Sequence, residues 1–165
     1  MSDSVLDSVS GLPASPRPQG AYVPAAAEPL RAGDLLVTSA GMTPRVDGRL
    51  TATGLVGRDL DVRRAREAAA LAARNAVAAV TVGDLGCVRR WMRMTVYIAC
   101  ADGFTELSAV ADAATAVFDG LTPGLGRPAR SAVGVRALPG GAPVEVELTA
   151  IARDANARDR NVEDE

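Results

Sequence analysis

From Val62 to about Val80, small apolar residues recur at helical spacing: Ala65, Ala68, Ala69, Ala72, Ala76, Ala79 and Val80. Arg63, Arg66, Glu67 and Arg74 fall on the opposite side. The pattern predicts an amphipathic helix, capped by Asp59 or Asp61, whose alanine face lets its axis sit close to a sheet. Asn75 interrupts that region as a packing or hydrogen-bonding residue. A second stripe, Phe104, Leu107, Ala111, Ala114 and Phe118, predicts a helix over about 104–120. Extended patterns surround these helices. Gly20–Ala25 reads as a short first strand, Leu35–Gly41 as a buried strand, and Cys87–Ala101 as the longest strand, with Val88, Met92, Met94, Val96 and Ile98. Asp47-Gly48, between Pro44 and Leu50, is a hairpin signal, and Arg31–Asp34 and Gly83–Gly86 are turns.

The chain closes on two further strands, Gly126–Val135 and a run beginning Val144-Glu145-Val146-Glu147, joined by Leu138–Pro143. Strand, hairpin, helix, long strand, helix and two strands are satisfied by a mixed sheet with both helices on one face, an α+β domain. Each closing strand opens with a charge. The guanidinium of Arg130 is a planar fork of donors that matches a carboxylate, and the carboxylate of Glu145 can accept a proton or hold a water. If these strands form a simple antiparallel hairpin, Ala137 faces Val144 and Glu145 faces Arg136. Arg130 and Glu145 are then on the order of 20 Å apart within one chain, at ~3.3 Å per residue. They can share a pocket only if two subunits contribute to it.

Composition narrows the chemistry. A chain of 165 residues predicts one domain, here 19–153, with a flexible Ser/Asp/Pro-rich lead-in over 1–18, where Leu6 and Leu12 are positioned to dock, and a charged flexible tail over 154–165. Aromatic residues are few, so the core is built from Ala, Val and Leu. There is no histidine, which removes His general bases, Ser-His and Cys-His nucleophile pairs and His-based zinc sites. Cys87 and Cys100 read as small buried hydrophobes. A net charge of −2 argues against a general nucleic-acid binder. Arg89-Arg90-Trp91-Met92-Arg93 could be an RNA patch, but arginines on an alternating strand more often reach carboxylates or line a subunit interface. No apolar run has the length of a membrane span and no basic-then-apolar leader opens the chain, so a cytoplasmic protein is expected.

Ala129-Arg130-Ser131, Leu138-Pro139 and Val144-Glu145-Val146-Glu147 together resemble the end of the RidA/YjgF family of reactive-intermediate deaminases. The resemblance extends over roughly residues 19 to 153, through Gly20-Ala21-Tyr22, Gly83-Asp84-Leu85 and Asp102-Gly103-Phe104. It implies a chorismate-mutase-like fold and a homotrimer with its sheets facing inward and its pockets between subunits. It further implies hydrolysis of enamines or imines to 2-oxo acids and ammonia, with no metal or organic cofactor. By the same resemblance Arg130 binds the substrate carboxylate and Glu145 holds the attacking water. Tyr22, Ser39, Gly41, Asp112 and Ala132 border the ligand, although Tyr22 also reads as a half-buried strand tyrosine. The chain departs from the family pattern at Ser39-Ala40-Gly41-Met42-Thr43-Pro44, where a glutamine is missing and the glycine displaced. It departs again at Ala132, often cysteine, and at Asp112, in place of an asparagine. These departures favour a second reading, a trimer of the same fold that binds a small carboxylate without catalysis or acts on a different substrate. A ribonuclease, a third label the family carries, gains nothing from a chain without histidine or a broad basic face.

Overall fold

The computed structural model describes residues 12–14, 17–18, 20–30 and 33–154. Most of the lead-in and all of the tail after Asp154 lie outside the described residues, as does Leu6; Leu12 packs against the edge of the core. The elements run β1 (Ala25–Pro29), β2 (Asp34–Ser39), β3 (Arg45–Val46), β4 (Arg49–Leu50), α1 (Val62–Thr81), β5 (Val88–Ala99), α2 (Leu107–Leu121), β6 (Ala129–Val135) and β7 (Val144–Arg153). Five strands form one mixed sheet in the order β1-β2-β7-β5-β6, and β3 and β4 form a separate hairpin around Asp47-Gly48. Both helices cover one face of the sheet, which is the α+β architecture expected from the sequence.

The sequence explains the layering. In β7 the residues Val144, Val146, Leu148, Ala150 and Ala152 are buried, while Glu145, Glu147, Thr149 and Ile151 between them are only partly so. This period of two puts one face against the helices and the other outward. The alanine stripe of α1 is almost wholly buried, and with no side chain longer than Cβ its axis lies close to the sheet. Asp61 caps α1 by accepting the Arg64 N–H, while Asp59 instead accepts the Leu55 N–H in the preceding turn. The Asn75 side-chain amide donates to the carbonyls of Thr43 and Arg45 at 2.9 and 3.0 Å, tying α1 to the loop before β3. Trp91 and Phe118 meet edge to face at 5.0 Å, and the indole N–H donates to Thr122 Oγ1.

Four expectations need correction. The first strand occupies 25–29, not Gly20–Ala25; the backbone bends through 20–24 before pairing with β2. Phe104 lies ahead of α2 and packs on Gly57, where a Cβ would come within 2.8 Å of its ring. The largest correction concerns β6 and β7, which do not form a hairpin. Both pair with β5, β6 in parallel (Arg130 opposite Met94) and β7 antiparallel (Glu145 opposite Tyr97). An apolar, alternating β7 belongs in the sheet interior. A strand with Arg130, Ser131 and Gly134 is suited to an edge. Two bulges early in β5 turn Met92 outward, against the expectation that it would help form that strand's apolar pattern.

Candidate functional site

Arg130 projects from edge strand β6 toward the helix layer. Its Nη1 donates to Asp112 Oδ1 and to Thr115 Oγ1, both at 2.8 Å. Asp112 and Thr115 are three apart on α2 and therefore share a face. Nε and Nη2 of Arg130 make no hydrogen bond among the described residues. The guanidinium is thus fixed through one nitrogen, and its remaining edge can receive a planar, two-oxygen acceptor. Ala132, two residues on, lies on the same face of β6 and is partly buried against the core. Arg127 is held separately by Asp119 through two bonds of 2.9 and 2.6 Å.

Glu145 lies elsewhere. It projects from β7 on the face away from the helices, with Tyr97 opposite it and Glu147 two residues on. Tyr97 donates its hydroxyl to Glu147 Oε2 at 3.0 Å. Burial, and then the charge of Glu147, raise the Glu145 carboxyl above the ordinary carboxylate range, so it holds its proton more tightly than an exposed glutamate. The bond to Glu147, followed by burial, likewise raises the Tyr97 hydroxyl.

Gly41 completes this second cluster. A Cβ on Gly41 would overlap the Glu145 carboxyl, so any other residue there would force that side chain out of its present position. Between the Thr38–Thr149 pair and the Met42–Val146 bridge, the β2 side carries one residue more than β7. That bulge leaves the Leu148 N–H without a strand carbonyl, and Ser39 Oγ accepts it at 3.0 Å. Ser39 is only 4% exposed, so its hydroxyl supports the Gly41–Glu145 contact from beneath and does not face an open cleft. Tyr22 is 46% exposed, in the segment leading into β1; the Pro24 carbonyl accepts the Ala40 N–H and brings that segment alongside Ala40 and Gly41.

The predicted site residues therefore fall into two groups. Arg130, Asp112 and Ala132 sit at the β6 edge on the helix side. Glu145, Gly41, Ser39 and Tyr22 gather around β2 and β7. Arg130 and Glu145 lie on opposite faces of the sheet, two strands apart and offset by three residues of β5, roughly 14 Å between their Cα atoms. The β6–β7 hairpin that would separate them by on the order of 20 Å does not form, because both strands pair with β5. The observed pairing also keeps the two side chains from converging within one chain. Sequence reasoning missed Thr115, Glu147 and Tyr97 as neighbours of the site. The signal for Thr115 was its spacing from Asp112 on one helix. Tyr97 and Glu147 required the β5–β7 register.

Of the arginine cluster in β5, Arg89 forms an ion pair with Asp34 and Arg93 donates to Ser131 Oγ. No group of three or more metal-ligating residues occurs among the described residues. No described helix is long and apolar enough to cross a membrane.

Comparison with known proteins agrees with this architecture. The family model described as Endoribonuclease L-PSP matches residues 13–152. Protein TCP17 of Trypanosoma cruzi is 36% identical over 138 residues, 78% of this chain and 86% of that protein. The crystal structure of Atu1372 from Agrobacterium tumefaciens superposes with a TM-score of 0.72 at 34% identity, covering 86% of this chain and 84% of that one. Escherichia coli TdcF, solved with bound serine, gives 0.57 at 26% identity, covering 85% and 93%. The chain belongs to the Endoribonuclease L-PSP family, the RidA/YjgF family.

Proposed function

We propose that this protein hydrolyses enamines and imines of small 2-amino acids to 2-oxo acids and ammonia, in pockets built between the subunits of a cytoplasmic homotrimer. The observation that carries this reading is the Arg130 guanidinium, anchored through Nη1 alone with its Nε–Nη2 edge unbonded among the described residues. That edge binds the substrate carboxylate in a bidentate manner. Arg130 and Glu145 of one chain lie on opposite faces of the sheet, so the pocket pairs Arg130 of one subunit with Glu145 of another. The serine held by the related TdcF is a small carboxylate of the same kind.

In the reaction the protonated imine is attacked at carbon by the water oxygen as Glu145 takes a proton from that water, which gives a neutral carbinolamine. Glu145 then returns that proton to the carbinolamine nitrogen, the C–N bond breaks and ammonia leaves, and the hydroxyl proton passes to the Glu145 carboxylate as the carbonyl forms. An enamine first takes a proton at its β-carbon and becomes the imine. The raised affinity of Glu145 for protons suits a group that must accept one and return it. An imine is already electrophilic, so positioning and proton transfer suffice without a cofactor.

Asp112 favours a second reading. Its carboxylate already occupies part of Arg130, as expected of a trimer that binds a small carboxylate without turning it over. Ion pairing of Arg89 and Arg127, with the net charge of −2, supports a small-molecule ligand over RNA. The test generates 2-iminopropionate and bulkier imino acids in situ with an amino-acid oxidase and follows their disappearance. Accelerated decay that falls by about a hundredfold or more in Arg130→Ala is the expected result. No acceleration by folded wild-type protein for any imine would move the assignment to the binding reading.

A further inference from the structure

The Arg130–Asp112 pair also bears on which small carboxylates the site accepts, an inference that rests on the placement of Arg130 in the ligand pocket proposed above. The Arg130 side chain is 21% exposed and that of Asp112 is 61% exposed. An approaching ligand therefore meets a mostly buried cation beside a largely accessible anion. Arg127 bonds Asp119 through Nε and Nη2 and makes no hydrogen bond to Asp112, whose charge it attracts only from a distance. The four groups sum to zero charge. Asp112 Oδ2 accepts no hydrogen bond among the described residues. A carboxylate docking on the Nε–Nη2 edge of Arg130 comes within one residue's breadth of the Asp112 carboxylate. There, like charges repel and a ligand cation is attracted.

We propose that Asp112 is a specificity-determining residue that selects ligands carrying a carboxylate and a protonated nitrogen on the adjacent carbon over ligands carrying the carboxylate alone. An iminium or ammonium nitrogen next to the bound carboxylate reaches toward Oδ2, whereas the carbonyl oxygen of a 2-oxo acid has no proton to offer it. The site thereby favours the nitrogen-bearing form of a substrate and disfavours its deaminated product. Thr115 retains its bond to Arg130 when Asp112 changes, so the guanidinium keeps one anchor on α2.

L-Alanine and pyruvate differ at this one group, and binding of each is measured by calorimetry on wild type, Asp112→Asn, Asp112→Ala and Arg130→Ala. Wild type is expected to bind alanine about tenfold more tightly than pyruvate. Both Asp112 variants are expected to shrink that ratio to about one or below, mainly by gaining pyruvate affinity. Equal or tighter binding of pyruvate by wild type overturns the proposal. So does an unchanged ratio in Asp112→Asn, and so does a lack of saturable binding that Arg130→Ala abolishes. If the ratio behaves as expected but no imine is hydrolysed, the selectivity stands and the deaminase reading alone fails.

Discussion

Glu145 shows how much a single position depends on its neighbours in space. Burial and the nearby Glu147 charge raise its carboxyl in the folded chain. A raised carboxyl favours the protonated fold, so its contribution to stability is full below the unfolded value and is lost as pH rises through the folded one. Glu145→Gln keeps the shape and removes the charge. Melting temperatures of variant and wild type should coincide at about pH 3.5, with the variant higher by about 1–3 °C near pH 7. A variant less stable at neutral pH would mean that Arg130 of the neighbouring subunit, in the pocket proposed above, stabilises the Glu145 charge by more than burial and Glu147 destabilise it. The sequence marked Glu145 through its place in a Val-Glu-Val-Glu run, and Arg130 through its place before a Leu-Pro turn. It could not show that Glu147 is bonded to Tyr97, because that bond joins residues 50 apart through a strand register.

The elements were legible in proportion to their periodicity. Both helices and the long strand were readable because their apolar spacing is regular. The second helix begins later than its pattern, where Phe104 packs beside Gly57, and within the long strand a bulge turns Met92 out. The partner of β6 was not legible. A Pro-Gly-Gly linker between two extended runs suits a hairpin locally. The competing demand is global, since β5 needs a partner on each edge and the apolar β7 satisfies the interior one. The alanine face of α1 carries a firmer prediction. Ala72 is fully buried within the core cluster, and a larger side chain there must displace the elements packed around α1. Ala72→Leu is expected to cost about 1–3 kcal/mol, read as an earlier urea midpoint at fixed protein concentration with an unchanged slope. A midpoint at or above that of wild type would show that the layer spacing is not set by alanine.

At the scale of the whole molecule, one face of the sheet has no helix over it. Leu36 and Val133 are exposed there, and Thr38 and Thr149 bond each other at its centre. The proposed homotrimer turns these faces inward, and sedimentation should give three times the 16.9 kDa chain mass. The separation of Arg130 and Glu145 onto opposite faces makes a sharper demand. If every pocket joins Arg130 of one chain to Glu145 of the next, a chain lacking one residue can complement a chain lacking the other. Arg130→Ala and Glu145→Gln proteins, each inactive toward imines, would regain hydrolysis when their chains are unfolded together and refolded as mixed trimers. Random assembly at equal ratio leaves about one pocket in four with both residues, so about a quarter of wild-type activity is expected. Simple mixing of preassembled trimers should give none until subunits exchange. Failure of the refolded mixture, with mixed trimers verified by mass, would place both groups' chemistry within one chain or remove one of them from the reaction.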